Sequence, residues 1–555
     1  MQRNITKLRL NAQLLTRSLS RTISVQNEPV LSFKKGSSER AELERALESL
    51  RKETVTVPVV VGGKEYFCDN FTHQPCPYDH QHKVAKVHLA DEVLLKSAID
   101  NALEAREKWD MTPVKERTNI FLKAADLLAG PWRSKILAAS MMGQAKTVMQ
   151  AEIDATCELI DFLRFNSKFA IEMDQIQPTD TDDATNHVIY RGLEGFVAAI
   201  TPFNFTAIST NLATAPAIMG CVTLWKPTTS ATLASWVAYQ ALLQSGLPDG
   251  VIQWVPTESK FMGSVCMQSP HLAALNFTGS TATFKHLWKS IADNVDKYRT
   301  FPRIVGETGG KNFHFVHNSA EIESVVGATI RSAFEFQGQK CSACSRMYVP
   351  KSKAEEIKRR LVEETNKIEV GAADKFSTFV SAVIDEPAFN RIVRYIDDAN
   401  RRKNITCLVG GEYSKHTGYF VQPSIYEAHD PRDPMMTEEI FGPVLTIYVY
   451  DDSEAEKFLD ICNTASVYAL TGSIFSQDKA FMELARKKLR HACGNVYLND
   501  KSTGSVVNQQ PFGGARLSGT NDKAGSPQYM ARWSSPLAVK TAIGDRKTWR
   551  YPYMD

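Results

Sequence analysis

The chain is predicted to be an α/β protein built on a doubly wound parallel sheet, followed by a second α/β domain. Three observations support this. Short runs of β-branched and aromatic residues alternate with helical stretches that begin near residues 206, 229, 259 and 281. Units of this kind, about 25 residues apart, are typical of βαβ crossovers. A second alternating series runs from residue 313 to about 515, so we place the boundary between the two series near 310. The strand-like runs of the first series are 196–200, 222–225, 251–255, 272–277 and 303–305.

Composition is that of a globular protein. Of 555 residues, 43% are hydrophobic and 23% are charged, which excludes a wholly disordered, fibrous or small disulfide-stapled chain. The length predicts three or four structural units. Lys and Arg exceed Asp and Glu by only three, so no nucleic acid is expected as a partner. The ten cysteines are scattered, which indicates a reducing compartment, and no apolar run is long enough for membrane insertion.

Residues 1–24 have the composition of a mitochondrial transit peptide. They contain five basic residues, several Ser and Thr, and no acidic residue. Leu8, Ala12, Leu15 and Leu19 fall on one helical face, with the arginines around the rest. Such leaders are amphipathic, rich in Arg and Ser and poor in acids, so import into the mitochondrial matrix is expected.

The remaining elements follow in chain order. Residues 36–50 predict a capped surface helix, and strand-like runs follow at 55–61 and 83–87. A helical pattern extends from 91 to 169. The polar stretch 173–187 breaks that pattern and predicts a hairpin or linker before the first alternating series.

Several common binding signatures are absent or incomplete. There is no Gly-x-Gly-x-x-Gly, and residues 306–311 resemble a phosphate-binding loop but are one residue short and are followed by Asn312. The Cys and His residues between 68 and 82 fit no common zinc spacing, so no metal site is predicted. Cys341 and Cys344 form a Cys-x-x-Cys pair, which leaves a redox dithiol open, although only one of the two needs to be reactive.

Three predicted element ends carry residues suited to covalent catalysis. Cys341 follows a Gly-Gln-Lys turn at the end of a helical run, where backbone N–H groups and Lys340 favour a thiolate. Glu307 and Asn204 each follow a predicted strand, and ligands of open α/β sheets collect at that edge. Together they offer a nucleophile, a base and an oxyanion donor. Taken singly, each is also compatible with a structural role: a buried Cys, a surface Glu and a turn Asn.

Seven motifs, in order, make the chain similar to the aldehyde dehydrogenase family from about residue 50 to the C-terminus. They are residues 201–205 (Thr-Pro-Phe-Asn-Phe), 226–228 (Lys-Pro-Thr), 277–280 (Phe-Thr-Gly-Ser), 307–311 (Glu-Thr-Gly-Gly-Lys), 338–341 (Gly-Gln-Lys-Cys), 438–443 (Glu-Glu-Ile-Phe-Gly-Pro) and 511–514 (Pro-Phe-Gly-Gly).

The resemblance implies an aldehyde dehydrogenase-like fold with three parts. These are an NAD-binding domain, a catalytic domain and a small β oligomerisation element, which predicts at least a homodimer. The NAD-binding domain is expected at 25–172 and 193–309, the catalytic domain at 310–520, and the oligomerisation element at 173–192 and 521–555.

The resemblance also implies roles for the catalytic residues. Cys341 is expected to attack the aldehyde, and the oxyanion to be held by the Asn204 amide and the Cys341 N–H. Glu307 would activate the water that hydrolyses the thioester. Phe203 and Phe512 would form an apolar wall around it, although both rings also suit a plain core.

The implied cofactor is NAD. Thr201 and Lys226 are assigned to its adenosine side, and Glu439 and Phe441 to the nicotinamide side. The pyrophosphate is expected at a helix N-terminus formed by Gly279, Ser280, Thr281, Ala282 and Thr283. Many NAD-selective relatives have a carboxylate three residues after the lysine, where this chain has Thr229, so exclusion of NADP does not follow.

A narrower resemblance is to family members that oxidise L-glutamate γ-semialdehyde to glutamate in proline catabolism. It rests on residues 191–195, 310–316, 339–346, 499–505 and 513–516. The implied substrate contacts are Lys340, Ser342, Gly504, Ser505, Phe512 and Glu158. Gly504 and Ser505 offer backbone N–H groups and a hydroxyl to the substrate carboxylate. Alternatively, Lys340 faces solvent and Ser505 only caps a turn.

Other functions stay open. The chain could act on a different semialdehyde, or be a catalytically silent relative that kept the fold. A CoA-acylating enzyme is disfavoured because Glu307 is present to activate water. A thiol hydrolase is a further possibility, but no Cys–His–Asx set is evident.

Overall fold

The computed structural model describes residues 23–545 and 548–554, so the predicted leader lies outside the described residues except for its last two positions. The first elements are a capped helix and a small sheet. Helix α1 begins after Ser37, whose hydroxyl accepts a hydrogen bond from the Arg40 N–H. The elements are α1 (Ser38–Leu50), β1 (Val55–Val57), β2 (Val59–Val61), β3 (Lys64–Tyr66), β4 (Phe71–Cys76) and β5 (Asp79–His88).

The prediction of one strand over 55–61 is wrong. Pro58 divides the run because proline has no N–H to donate to a sheet. β1 joins a three-stranded sheet of order β1-β5-β4, whereas β2 pairs with β3 and joins the first large sheet. The chain therefore passes from one sheet to the other at Pro58.

A helical layer follows, longer than predicted because its last helix continues to Asp174. It contains one π-helical segment, Glu152–Cys157, in which five of six residues are buried. The helices are α2 (Glu92–Met111), α3 (Val114–Ala129), α4 (Arg133–Gln144), α5 (Val148–Ala151) and α6 (Glu158–Asp174).

The first large sheet has seven strands in the order β11-β10-β7-β8-β9-β2-β3. Pairs from β11 to β9 are parallel, as the βαβ pattern predicts. Strand order reverses between β7 and β10, and this switch point is where ligands of such sheets bind. The elements are β6 (Ala184–Arg191), β7 (Phe196–Ile200), α7 (Thr206–Ile218), β8 (Val222–Lys226), α8 (Thr232–Gln244), β9 (Ile252–Trp254), α9 (Ser259–Phe261), β10 (Leu272–Thr278), α10 (Thr281–Asp293) and β11 (Arg303–Glu307).

Four residues separate the last strand of the first large sheet, β11, from the first strand of the second, β12. Its order is β14-β17-β18-β13-β12-β20-β21, and only β14 is antiparallel to its neighbour. The elements are β12 (Asn312–Val316), α11 (Ile322–Phe334), β13 (Cys344–Pro350), α12 (Lys351–Thr365), α13 (Glu386–Arg401), β14 (Ile405–Val409), β15 (Tyr413–Ser414), β16 (Phe420–Val421), β17 (Ser424–Ala428), α14 (Pro434–Thr437), β18 (Val444–Tyr450), α15 (Ala455–Thr464), β19 (Tyr468–Ala469), β20 (Thr471–Phe475), α16 (Lys479–Lys488), β21 (Asn495–Leu498) and β22 (Ala515–Arg516).

The last elements are α17 (Pro527–Ala531) and β23 (Ser535–Ala542). β23 returns to the first half of the chain and pairs antiparallel with β6 along its full length. This two-stranded arm exposes Ile189 and Leu537. The predicted domain boundaries remain predictions, but the two large sheets meet between residues 307 and 312.

Apolar burial is divided between the two sheets. The first core surrounds a cluster of Trp225, Trp254, Trp236 and Tyr239, with ring centroids 4.9–6.2 Å apart. The second sheet is covered on both faces by separate clusters, as a mostly parallel sheet requires. In the described part of the chain, no helix is both long and apolar enough to span a membrane.

Candidate active site

Cys341 lies on a buried turn between α11 and β13. Three consecutive residues before it, Phe336, Gln337 and Gly338, have φ of +50°, +57° and +65°. This left-handed stretch is costly for side chains other than glycine, and strain of this kind is found at functional sites. Cys341 is 8% exposed, so the turn carries the thiol in the protein interior, largely out of contact with solvent.

Asn312 holds this turn in place, a role that the sequence did not indicate. Its amide nitrogen donates to the carbonyls of Cys341 (2.6 Å) and Ala343 (2.9 Å), while its oxygen accepts from the Thr471 N–H (2.9 Å). Gly310 packs against the same turn, because a Cβ there would lie 2.3 Å from the Cys341 oxygen. The Gly-Gly-Lys-Asn sequence marks both positions as part of a motif but does not show what they contact.

Asn204 reaches the nucleophile turn from the other sheet. It follows β7, is buried, and its Nδ2 donates to the Gln339 carbonyl at 3.1 Å. The predicted oxyanion donor therefore contacts the backbone two residues before Cys341, which brings it together with the nucleophile turn.

Glu307 ends β11 beside a cavity of about 40 Å³. Its Oε1 is enclosed and has no hydrogen-bond partner among the described residues. Burial raises the pKa of Glu307 to about 8. The cavity is also lined by Glu158, Asn211, Phe512, Lys523 and Tyr529. An unpaired carboxyl group with a pKa near neutrality is suited to proton transfer.

Lys340 and the backbone N–H groups were expected to favour a thiolate at Cys341, but in the resting structure the thiolate is disfavoured. Burial, followed by the charges of Glu307, Glu439 and Glu158, raises the pKa of Cys341 well above its ordinary value. Cys344 is also buried, and its Sγ contacts the Arg346 carbonyl at 3.5 Å. None of the ten cysteines, all of which lie in the described residues, forms a disulfide. Cys341 differs from Cys344 in having the Glu307 carboxyl group close enough to shift its pKa.

The cofactor residues of the first sheet meet at the N-terminus of α10. Ser280 caps this helix by accepting from the Thr283 N–H at 3.2 Å. Lys226, at the end of β8, lines a cavity of about 430 Å³ together with Ala282 and Thr283. Burial alone lowers the pKa of Lys226 to about 8, and its ammonium group has no partner among the described residues.

An unpaired buried cation beside a helix N-terminus fits an anionic dinucleotide. Thr201 supports this edge from behind: its hydroxyl accepts from Ser209 at 2.8 Å and donates to the Lys226 carbonyl at 3.4 Å. Gly279 is half-exposed at the same turn. Of the predicted cofactor residues, Lys226, Ala282 and Thr283 line this cavity, Thr201 lies behind it, and Gly279 and Ser280 form the adjoining helix start. Thr281 lines a neighbouring cavity instead. Cofactor contact by these residues remains a prediction.

Glu439 and Phe441 lie on the other side of the nucleophile turn. The Glu439 carboxylate accepts from the Gly310 N–H at 2.7 Å, and burial raises its pKa to about 6. A Cβ at Gly309 would lie 2.3 Å from that carboxylate. The Phe441 ring meets Phe203 edge to face at 5.9 Å. Both predicted nicotinamide-side residues thus adjoin the catalytic turn.

The predicted substrate residues separate into two groups. Phe512 and Glu158 line the cavity beside Glu307. The loop carrying Gly504 and Ser505 is joined to the nucleophile turn, because the Ser502 hydroxyl donates to the Ser342 carbonyl at 3.2 Å. Gly504 has a φ of +81°, which favours glycine at this turn.

Lys340 does not face solvent. Its ammonium group is buried and ion-paired with Asp154 (3.4 Å) and Glu335 (3.5 Å). Asp154 also binds the buried Lys146 at 2.8 Å. Sequence reasoning missed this network because its two pairs, Lys146 with Asp154 and Glu335 with Lys340, are far apart in the chain and no pattern links them. Its carboxylates compete with any substrate anion for Lys340, and substrate contact by Lys340 remains a prediction.

The segment of residues 68–82 carries five Cys and His side chains. Cys68, His73, Cys76, His80 and His82 lie on or beside the β4–β5 hairpin. Within residues 23–545 and 548–554, no group of three or more His, Cys, Asp or Glu side chains is arranged to hold a metal ion.

The fold and this site define a class of protein: the chain belongs to the aldehyde dehydrogenase family, whose model matches residues 69–539. It is 54% identical over 534 residues to the mitochondrial delta-1-pyrroline-5-carboxylate dehydrogenases of Mus musculus and Homo sapiens, covering 96% of this chain and 95% of each relative. The NAD-bound crystal structure of the Mycobacterium tuberculosis delta-pyrroline-5-carboxylate dehydrogenase superposes with a TM-score of 0.93 at 43% identity, covering 97% of this chain and 99% of that one.

Proposed function

We propose that the protein oxidises L-glutamate γ-semialdehyde, the open form of 1-pyrroline-5-carboxylate, to L-glutamate with NAD, the second step of proline catabolism. The observation that carries the proposal is the meeting of Asn204, Glu307 and Cys341 between the two sheets. The names of the relatives, similar over nearly the whole chain, supply the substrate.

In the first half-reaction, the Cys341 sulfur adds to the aldehyde carbon after losing its proton. Glu307 is the carboxylate with the largest effect on the Cys341 thiol and is suited to accept that proton. The oxyanion is stabilised by the Asn204 amide and the Cys341 N–H. When bound, NAD supplies the hydride acceptor, and loss of hydride leaves a thioester on Cys341.

In the second half-reaction, Glu307 removes a proton from water, and the resulting hydroxide attacks the thioester. The tetrahedral intermediate expels the Cys341 thiolate and releases a carboxylic acid. The low exposure of the site, with Phe512 at the cavity wall, limits access of other nucleophiles. One water molecule is consumed and one carboxylic acid is formed for each hydride removed from the aldehyde.

The decisive measurement is NADH formation with a panel of aldehydes. Glutamate γ-semialdehyde should give a higher kcat/KM than simple aliphatic aldehydes and than other amino-acid semialdehydes. Cys341→Ala should give no turnover with any of them. A higher kcat/KM for another semialdehyde would change the assigned substrate and leave the proposed reaction mechanism unchanged. No NADH with any aldehyde would instead favour the catalytically silent alternative.

Ser505 is proposed to anchor the substrate carboxylate. Ser505→Ala should lower kcat/KM for glutamate γ-semialdehyde by about 1–3 kcal/mol, because a buried charge loses a hydrogen-bond partner. Propanal has no carboxylate, so its kcat/KM should hardly change, and Ser505→Thr serves as the control that keeps a hydroxyl. Equal losses with both aldehydes would show that residue 505 shapes the site generally.

The proposed location is the mitochondrial matrix. The relatives in Mus musculus and Homo sapiens are named mitochondrial, and residues 1–24 have the composition of a matrix leader. A reporter fused to residues 1–24 should accumulate in the matrix, whereas the same fusion with its five basic residues changed to Gln should not. A cytosolic reporter with the native segment would overturn this assignment.

The proposed assembly is at least a homodimer formed through the β6–β23 arm. The arm exposes Ile189 and Leu537, and a two-stranded ribbon is rarely stable without further packing. Leu537→Asp should shift the mass measured by light scattering towards the monomer, with Val93→Asp, at an exposed position of α2, as the control. An unchanged mass in Leu537→Asp would place the interface elsewhere.

A further inference from the structure

The segment just after the predicted leader is built into the protein interior. The Glu28 N–H donates to the Asp161 carboxylate at 2.7 Å, and the Leu31 N–H donates to Glu152 at 2.8 Å. The Glu28 carboxylate is ion-paired with Arg133 at 2.6 Å and Arg164 at 2.7 Å. Since Glu152 is fully buried and Asp161 is 3% exposed, residues 27–31 cover charges that would otherwise need solvent.

Asn27 extends this docking to a distant part of the chain. Its Nδ2 donates both to the Asp161 carboxylate at 2.8 Å and to the Val507 carbonyl at 3.0 Å. Its Oδ1 accepts from the Gln509 side chain at 3.0 Å. Both amide hydrogens are used, so one side chain cross-links helix α6 to the loop of residues 502–509, here called the anchor loop.

Both ends of this cross-link continue into the active site. Asp161 lies one helical turn after Glu158, which lines the cavity beside Glu307. At the other end, Val507 follows Ser505 by two residues, and the Ser502 hydroxyl binds the Ser342 carbonyl next to the nucleophile. The anchor loop is therefore fastened at its start by the nucleophile turn and at its end by Asn27.

The anchor loop depends on such external contacts. It has no helix or strand of its own, and Gly504 introduces a left-handed turn. Its further hydrogen bonds near the end are local: the Val506 carbonyl accepts from the N–H groups of Gln509 (2.9 Å) and Gln510 (3.0 Å), and the Val506 N–H donates to the Gln510 side chain at 3.0 Å. A loop with few backbone bonds samples several conformations unless tertiary contacts select one.

We propose that Asn27 is a positioning residue that fixes the anchor loop in the conformation that binds the carboxylate end of the aldehyde substrate. The inference rests on the proposed function, because it assumes that Ser505 reads that carboxylate. It assigns a role in substrate selection to the N-terminal segment, which touches neither Cys341 nor the cofactor cavity.

The test compares two aldehydes in the full-length protein. Asn27→Ala should lower kcat/KM for glutamate γ-semialdehyde about tenfold, mainly through KM, and change kcat/KM for propanal by less than about twofold. Ser37→Ala is the matched control, because it removes the α1 cap from the same segment and makes no contact with the loop. Equal losses with both aldehydes, or no loss, would overturn the proposal.

A second variant covers the case in which Asn27→Ala does not fold. The Gln509 side chain is exposed, so Gln509→Ala removes one of the three bonds without a buried gap. Gln509→Ala should also lower kcat/KM for glutamate γ-semialdehyde relative to kcat/KM for propanal, by a smaller factor than Asn27→Ala does. An unchanged ratio in Gln509→Ala, with Asn27→Ala unfolded, would overturn the proposal.

Amide hydrogen exchange separates this inference from the proposed function. In Asn27→Ala, residues 503–509 should exchange faster, while exchange across β12 should be unchanged. Faster loop exchange would support the positioning role of Asn27, whichever aldehyde the wild-type protein prefers. A wild-type protein with no preference for glutamate γ-semialdehyde would contradict the proposed function and not the positioning role. Unchanged loop exchange would remove the positioning role whichever substrate is preferred.

Discussion

At the residue scale, Glu307 couples catalysis to pH. Burial raises its pKa to about 8, so the carboxyl group is mostly protonated at pH 7. A general base acts only as the carboxylate, so thioester hydrolysis should become faster as pH rises through about 8 and level off above it. Single-turnover measurements with the acylated protein between pH 6 and 10 check this. A hydrolysis rate independent of pH would remove Glu307 from that step.

Substitutions of Glu307 and Asn204 should slow different half-reactions. Glu307→Gln should still give one NADH per site when thiolate is formed at high pH, followed by slow hydrolysis. Asn204→Ala should slow the NADH burst itself by about 10²–10³-fold, because an oxyanion donor is lost. Stopped-flow absorbance distinguishes them. Absence of any burst in Glu307→Gln up to pH 10 would contradict the assigned role.

The two cysteines of the Cys-x-x-Cys pair should also differ. Cys341→Ala should abolish turnover and leave NAD affinity nearly intact, whereas Cys344→Ala should keep most activity because its thiol is buried against the Arg346 carbonyl. Steady-state rates and NAD titration measure both properties. If both variants were inactive with native stability, a dithiol mechanism would have to replace the single nucleophile.

Lys226 should make NAD binding sensitive to alkaline pH. Its pKa is lowered to about 8 by burial, and only the ammonium form attracts an anionic ligand. Affinity for NAD should therefore weaken as pH rises through about 8, and Lys226→Met should bind weakly with a flatter pH profile. Titration calorimetry from pH 6.5 to 9.5 provides the measurement, and a pH-independent affinity would place the ammonium away from the cofactor.

At the element scale, the π-helical segment Glu152–Cys157 carries a buried charge network. Asp154 lies within it and binds Lys146 and Lys340, and these two charges hold the pKa of Asp154 below its ordinary value despite burial. A π-helical segment is often retained at a functional site. The carboxylate joins the helical layer to the residue that precedes the nucleophile.

Removing this carboxylate should destabilise the protein. Asp154→Ala should lower the free energy of unfolding by about 3–5 kcal/mol at pH 7, because buried Lys146 loses its carboxylate partner and Lys340 keeps only Glu335. Asp154→Asn is the control that keeps the shape. Since the folded pKa is depressed, the wild-type advantage should be lost as pH falls through that value. Urea unfolding, fitted locally if it is not two-state, measures the difference.

At the scale of the whole molecule, local pattern predicted some features and not others. The alternation located β7 to β12 within one or two residues, because parallel strands bury both faces and read as apolar runs. Helix α8 begins three residues after its predicted start, since a 3₁₀ turn precedes it. The split at Pro58 was missed because alternation does not reveal which sheet a strand joins.

The candidate site divides in the same way. Cys341, Glu307 and Asn204 could be chosen because they follow element ends and match family motifs. Asn312 and Asp154 could not, since their partners lie on other elements and only the tertiary structure brings them together. Lys340 illustrates the limit best: its place beside the nucleophile was evident, but its engagement by two carboxylates was not.

The bond from Asn27 to the Val507 carbonyl spans 480 residues, and this imposes an order on synthesis. At about 5–20 residues per second, the ribosome needs at least tens of seconds to reach residue 507 after residue 27 has emerged. During that interval, the Asn27 side chain lacks two of its final partners, the Val507 carbonyl and the Gln509 side chain. The strands of the first large sheet are all made by residue 307, whereas Phe512 and Lys523, which line the cavity beside Glu307, belong to the last tenth of the polypeptide. The aldehyde pocket can therefore be completed only when synthesis is nearly finished.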